Sequence, residues 1–521
     1  MGIPSFYRHL CRRFPKLVGS GPGARPEWLC LDFNCAMYTV LRQMGPVAEA
    51  PSQAVWETRF CEGIAAYMGE IAGLVLPTKG LYVSCDGVVC AAKRRQQRLR
   101  RFKGPWLAAA EATALGRPTG SGSGWDQNAL TPGSAFMAQL GGVLTAAGKR
   151  LATTQGIQVE VSTTSEPGEG EHKLLRRMRA LRPASCTIYG LDADLILLAM
   201  LLGSETGAAV RLVREAQEFE TGHRQEGAGG WKNLDIQELV RVLVPGPASH
   251  VRDFVACMSL LGNDFLPRSL THTVRDNGIP DLLRLLEKEV WGRGLSVVDG
   301  PTGRIRRDGL VAVVGAWAAD EEGDMFAAAR DARRAATRPA GVGDTPEATA
   351  LREWNAQPAR WASLGRLLRG DRLLREWRDI YVREWRAGDA AAFLAGVAWV
   401  WDYYRGIPVD QAWFFDEHLP PLWGSVVAAL TASKDEFVAA PAIVEPTPLP
   451  EWLHLLAVLP AESVERLLPA ARGSALIQKA PWYWPTQWSL FDVGRTQMWE
   501  CEPVIPVLPD SVLRPWLAAQ S

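Results

Sequence analysis

Seven carboxylates in five short segments carry the first chemical statement of this sequence: Asp32 in LDFN, Asp86 in SCDG, Glu169 and Glu171 in PGEGEHK, Asp192 and Asp194 in YGLDADLILL, and Asp264 in LLGNDFLP. Each segment adjoins an apolar run, a glycine or both. A lone aspartate after a strand is ordinarily a helix N-cap, and Glu169 and Glu171 by themselves suit a helix start, where acids meet the positive end of the dipole. The set asks for more. Acids gathered at one edge repel too strongly for all to stay ionised without compensation. Hard divalent cations with all-oxygen ligation, magnesium or manganese, supply it. Two such ions a few ångströms apart are the usual device for in-line displacement at phosphorus. The flanking Gly168 and Gly170 allow the close backbone approach that such a site needs.

A second constellation follows directly after Asp86. The run KRRQQRLRRFK, Lys93 to Lys103, holds seven basic residues in eleven and no acid, in a chain whose 57 Lys and Arg balance 57 Asp and Glu. On a helix, Lys93, Gln97, Arg100 and Arg101 share a face and present a point charge and forked donors to one phosphate. A solvated basic helix or a general nucleic-acid patch is the other reading of such a run. Its place beside the acids favours a phosphate pocket.

The elements that must position these groups alternate. Short apolar or β-branched runs (28–31, 81–84, 159–162, 187–189, 210–213) are separated by helical patterns (56–76, 134–155, 171–181, 193–202, 253–261), which predicts an α/β domain with a largely parallel sheet. In such sheets the functional crevice lies beyond the carboxyl ends of the strands, and Asp32, Asp86 and Asp192 stand there. Glycine-rich segments at Gly116–Gly124 and Gly222–Gly230 predict exposed loops. The Ala-, Arg- and acid-rich stretch from about Asp320 to Pro346 predicts a solvated helix and linker. Sixteen of the 21 tryptophans fall after residue 250, so the second half is built differently.

Composition sets the bounds. With 521 residues, 47% apolar and 22% charged, the chain is far from disordered. A net charge of zero removes whole-molecule attraction to nucleic acid as an argument. The apolar run Leu195–Leu202 is too short to cross a membrane. The start MGIPSFYRHLCRRFPKL lacks the apolar block of a secretory signal, and Phe6 stands where myristoylation would need Ser or Thr. Nine scattered cysteines without a C-x-x-C pair indicate neither zinc nor a disulfide framework, as expected of an intracellular, reduced protein.

Together these segments resemble the 5'-to-3' exoribonuclease (XRN) family. The opening, LDFN, SCDGVVCAAKRRQQRLRRFK, TPGSAFMAQL, SEPGEGEHK, YGLDADLILL and FVACMSLLGNDFLP follow the family order. VAWVWDYYRG, AWFFDEHLPP, LPEWLHLLAVLPAESVERLLP and YWPTQWSLFDVGRTQMWECEPVIPVLP are similar to its second conserved region. The resemblance implies a PIN/flap-endonuclease-like parallel-sheet nuclease domain over 1–290, a linker with connecting helices over 291–350, and a mainly helical, Trp-rich second conserved region over 351–521 packing against the active site. It implies processive hydrolysis of single-stranded, 5'-monophosphorylated RNA to mononucleotides by two magnesium ions, with manganese able to substitute. Asp32, Asp86, Glu169 and Glu171 would hold one ion; Asp192, Asp194 and Asp264, with Glu171 shared, the other. Lys93, Gln97, Arg100 and Arg101 match the family's pocket for the terminal phosphate.

Two departures stand out. Tyr38 replaces the histidine that stacks on the first base, and Gln411 replaces the first of two tryptophans, leaving Trp413 as a candidate stacking residue against a packing role. The expectation is a monomeric minimal catalytic core, in the cytoplasm in preference to the nucleus, with a decapping enzyme as a candidate partner. The alternatives are a structure-specific flap endonuclease on DNA and a non-catalytic RNA 5'-end-binding protein.

Overall fold

The computed structural model describes residues 6–117, 124–190, 192–216, 230–468 and 477–515. The two expected glycine-rich loops, at 116–124 and 222–230, lie largely outside the described residues, as do residues 1–5.

A seven-stranded sheet organises the first half: β1 (Val18–Ser20), β2 (Trp28–Asp32), β3 (Gly80–Ser84), β4 (Gln158–Ser162), β5 (Ser185–Tyr189), β6 (Ala209–Glu215) and β7 (Trp231–Asp235), in the order β1-β7-β6-β5-β2-β3-β4. The five strands from β4 to β6 are parallel, and β7 and β1 close the far edge antiparallel. The five runs read as strands are these five parallel strands. The two antiparallel strands have no such signal, because VGS and WKNLD are short and partly polar. β2 and β3 are buried along their whole length, as parallel strands covered on both faces must be.

Helices of the first half pack around the sheet and its rim, among them α1 (Phe6–Arg13), α2 (Asn34–Gln43), α3 (Gln53–Val75), α4 (Ala91–Ala114), α5 (Ala135–Gln155), α6 (Gly170–Leu181) and α7 (Asp194–Thr206). Strand alternation sends Leu29, Leu31, Leu81 and Val83 to a core with Phe60 and Ile64 of α3 and Leu140 of α5. Cys30, Tyr82 and Ile188 face the opposite core with Leu174 of α6 and Leu198 of α7. Side-chain caps fix two starts, Ser52 accepting from the Val55 N–H and Ser134 from that of Met137. The run Leu195–Leu202 is buried all round, so its unbroken apolarity belongs to a core helix. No helix among the described residues is long and apolar enough to cross a membrane.

The core that lies under α6 and α7 continues through Trp317, Trp399, Trp401 and Trp423 to Leu430, so both halves of the chain share it. The stretch read as a solvated linker helix differs from that expectation. Helix Glu321–Ala336 buries Met325 and Ala329 in a further core with Leu367, Trp377 and Tyr381. Its Glu321, also buried, accepts the N–H groups of Trp423 and Gly424. Small alanines hide that contact from a hydrophobicity reading, since they bury against a neighbour without forming a strong apolar stripe.

Candidate active site

Register brings the acids to one edge. Leu31 pairs with Tyr189, Asp32 with Ser84 and Ser84 with Ser162, so β2, β3, β4 and β5 end level and the residues after them leave from one rim. Asp32 is the last residue of β2; Asp86 follows β3; Glu169 and Glu171 open α6 after β4; Asp192 and Asp194 open α7 after β5. Asp264 reaches the rim from the turn after helix Ala248–Met258 and the short 3-10 turn Ser259–Leu261.

Backbone detail explains the glycines. Gly168 sits at φ 105°, and its N–H and carbonyl bond Val88 and Gly87, tying the acidic loop to the segment after Asp86. Gly170 donates its N–H to Asp86 Oδ1 at 2.7 Å. A Cβ on Gly170 would stand 2.9 Å from Asp32 Oδ1 and 3.1 Å from the Ser84 carbonyl. Asn34 Oδ1 accepts the Asp86 N–H at 3.1 Å. The Lys173 ammonium, buried beneath, donates to the carbonyls of Cys85 and Thr163.

Burial and mutual repulsion dominate the electrostatics. Asp32, Glu169, Glu171 and Asp194 are all less than a tenth exposed. Desolvation, then Asp86, Asp192 and Asp194, raise the Asp32 carboxyl well above its usual range. Desolvation, then Asp194 and Glu169, do the same to Glu171. Asp194 is pushed up to about 7 by burial, Asp264 and Asp192. Neutralisation comes partly from Lys93, whose Nζ lies 2.5 Å from Glu169 Oε2 and 2.8 Å from Asp264 Oδ2. Desolvation works against its charge, but Asp264, Glu169 and Glu171 outweigh it and hold the ammonium above its ordinary value.

These residues fit divalent cations. Among the described residues Glu171 Oε2 is buried without a hydrogen-bond partner, and ligand atoms of Glu169, Glu171 and His172 lie within 4.8 Å of one another. The donor set is mainly carboxylate oxygen, suited to hard ions. Glu169 occupies the N-cap position of α6 without capping it. Its side chain meets Lys93 and the Tyr403 hydroxyl instead, so the ordinary helix-start explanation does not account for it.

The basic run divides between two faces of α4. Lys93 faces the acids rather than an open pocket, because the first turn of α4 lies against the acidic rim. Gln97, 3% exposed, keeps a buried Oε1 without a partner. Arg101 donates to Asn128 Oδ1 at 3.0 Å, has a buried Nε without a partner, and is pushed down to about 10 by burial. Arg100 is half-buried and within electrostatic reach of Asp192, and Tyr38 is within the same reach of Arg101. Arg100, Arg101 and Tyr38 therefore stand beside the rim, with Gln97 buried one turn earlier on α4.

The remaining cations are structural. Arg94 pairs with Asp510, Arg95 donates to the Asp416 carbonyl, and Lys103 to those of Trp499 and Cys501. Arg98 donates to the carbonyls of Pro506, Ala457 and Tyr483 and lies over the Tyr483 ring. The Gln411 carbonyl accepts the Ala91 N–H at 2.8 Å, docking the segment before Trp413 on the start of α4. Trp413 packs on Trp399 at 5.0 Å and against Gly396, a packing arrangement.

Three site residues escaped the sequence reading. Tyr403 donates to Glu169 Oε1 at 2.7 Å. Tyr404 is 2% exposed, its hydroxyl is buried without a partner among the described residues, and it is in electrostatic reach of Asp194, Glu171 and Asp264. His454, wholly buried with neither ring nitrogen partnered among the described residues, is held well below its usual pKa by burial and then by Arg94 and Arg101. All three lie in recognisable motifs, but no local pattern says that residue 403 meets residue 169.

Parts of this chain are similar to known proteins. A family model described as XRN 5'-3' exonuclease N-terminus matches residues 1–216. The 5'-3' exoribonuclease 2 of Saccharomyces cerevisiae is 28% identical over 365 residues, covering 56% of this chain and 35% of that protein. The 5'-3' exoribonuclease 1 of the same yeast is 28% identical over 329 residues, covering 55% of this chain and 21% of its own. The chain thus spans about a third or less of these relatives. Among solved structures, the catalytic core of Rad2 in complex with DNA substrate overlaps 82% of this chain and 93% of its own at a TM-score of 0.34 and 10% identity, a loose likeness only. Residues 1–216 of this chain are thus similar to the N-terminal region of the XRN 5'-3' exonucleases.

Proposed function

We propose that this protein is a metal-dependent 5'-to-3' exoribonuclease that removes nucleotides singly from single-stranded RNA carrying a 5'-monophosphate. The observation that carries the reading is the convergence of five acid-bearing segments at one sheet rim, beside the partly unsatisfied basic face of α4. Asp32, Asp86, Glu169 and Glu171 would hold one magnesium ion, and Asp192, Asp194 and Asp264, with Glu171, a second; bound there, the ions supply charge neutralisation for displacement at phosphorus. Gln97, Arg100 and Arg101 present donors to the terminal phosphate, and Tyr38 offers a face to the first base. Lys93 screens Glu169 from Asp264 and keeps the two halves of the cluster together. Residues 1–290 form the catalytic part, joined through 291–350 to residues 351–521, which brace α4 and restrict approach to a threaded single strand.

Incubation with magnesium and matched 3'-labelled RNAs bearing a 5'-monophosphate, 5'-hydroxyl or 5'-triphosphate tests this. Selective loss of the monophosphate RNA is expected. Cleavage inside a flapped duplex would replace the reading with a flap endonuclease, and retention of intact monophosphate RNA with an end-binding protein.

A further inference from the structure

The Glu169 carboxylate is held from both sides. Lys93 Nζ meets its Oε2, and the Tyr403 hydroxyl donates to its Oε1 at 2.7 Å. Tyr403 comes from the last turn of helix Ala390–Arg405, in the second half of the chain. Its ring has little freedom. It stacks on Trp399 with centroids 4.9 Å apart and planes 18° apart, lies 4.0 Å from the His172 ring, and takes Phe265 edge-on at 5.4 Å. Trp399 is fixed in turn, donating Nε1 to the Asp410 carbonyl at 3.0 Å and packing on Trp413.

His172 adjoins Glu171, and Phe265 adjoins Asp264. One tyrosine therefore wedges between two acid-bearing segments while its hydroxyl sets the rotamer of a carboxylate. A carboxylate that repulsion would turn away from its neighbours is pinned toward them by a donor that cannot swing.

We propose that Tyr403 is a positioning residue for Glu169, supplied by the second region so that the metal-holding geometry is complete only when that region is docked. The inference rests on the proposed nuclease reading, and goes beyond it in giving residues 351–521 a part in the cluster itself. Partners that orient metal ligands typically contribute about 10- to 100-fold in affinity or rate.

The test is Tyr403→Phe, which keeps the ring and removes the donor. Manganese binding followed by electron paramagnetic resonance is expected to weaken about tenfold. Turnover of 5'-monophosphate RNA should fall about tenfold while KM for RNA stays within about twofold. Tyr381→Phe is the control: its hydroxyl donates to the Pro420 carbonyl at 2.9 Å, away from the acids, so manganese affinity and turnover should stay at wild-type values. Wild-type manganese affinity and turnover in Tyr403→Phe would overturn the positioning role and leave the nuclease reading standing. A wild-type protein that binds no manganese and degrades no RNA would overturn the nuclease reading and this inference with it.

Discussion

Replacing Asp194 by Asn removes a buried charge that its neighbours oppose. Burial, Asp264 and Asp192 hold this carboxyl at about 7 against an ordinary value of 3.8. At 1.36 kcal/mol per factor of ten, ionising it in the folded state at pH 8 costs at most about 4 kcal/mol. Because the folded-state value is raised, the protonated fold is favoured: the contribution of this group is complete below about pH 4 and declines as pH rises toward 7. Asp32 and Glu171 are shifted in the same direction and steepen the decline. In a chelator, Asp194→Asn should therefore be more stable than wild type at pH 8, by up to about 4 kcal/mol, and the difference should shrink toward zero near pH 4. A divalent cation narrows the difference. Bound only by the fold, it stabilises wild type by about 2.7 kcal/mol at a hundred times its Kd, and a variant lacking one ligand by less. Urea unfolding of both proteins between pH 4 and 8.5, with chelator or with magnesium, reads every quantity. A variant less stable than wild type at pH 8 in chelator would show that these acids do not form a self-repelling set.

Other outcomes follow from named contacts. Gly170→Ala forces a Cβ to 2.9 Å from Asp32 Oδ1, so turnover on 5'-monophosphate RNA should fall at least tenfold while the far-ultraviolet circular dichroism stays unchanged. Arg98→Met leaves the Pro506 and Tyr483 carbonyls without this donor and should cost about 2 kcal/mol or more in urea unfolding, with the preference for monophosphate over hydroxyl ends intact. Arg101→Met should do the reverse, narrowing that preference in the RNA assay with little loss of stability. Trp413→Ala opens a hole against Trp399 and Gly396 and should destabilise by about 3 kcal/mol; unchanged stability with weakened RNA binding would instead favour a stacking role.

Much of this architecture can be read from the chain. Strands announce themselves as short apolar runs, and in a parallel sheet the residue after each run is fixed at one rim, so Asp32, Asp86 and Asp192 could be grouped before any contact was known. Gly168 and Gly170 were legible for the same reason, since only close approach or a left-handed backbone explains two glycines between acids. The basic run was half legible. Charge says that α4 is cationic, but Arg94, Arg98 and Lys103 turn to carbonyls and a carboxylate supplied some 400 positions later. Nothing near residue 98 encodes Pro506 or Tyr483. Tyr403 and Tyr404 escaped likewise: a helix rich in tryptophan and tyrosine reads as core, and most of it is. The hydroxyls that leave the core do so because of where the helix is laid down, a property of packing rather than of spacing.

The anchoring of α4 also bears on the order of events at the ribosome. Asp264, the last of the acids, is made 242 positions before Pro506. Until Cys501, Pro506 and Asp510 emerge, Lys103, Arg98 and Arg94 lack the partners that seat them. A nascent chain holding every acid thus still has a half-seated helix beside its rim, and competence should arrive as a late, abrupt step of synthesis. On the proposed reading, such timing would delay activity well past the synthesis of the acids that carry it.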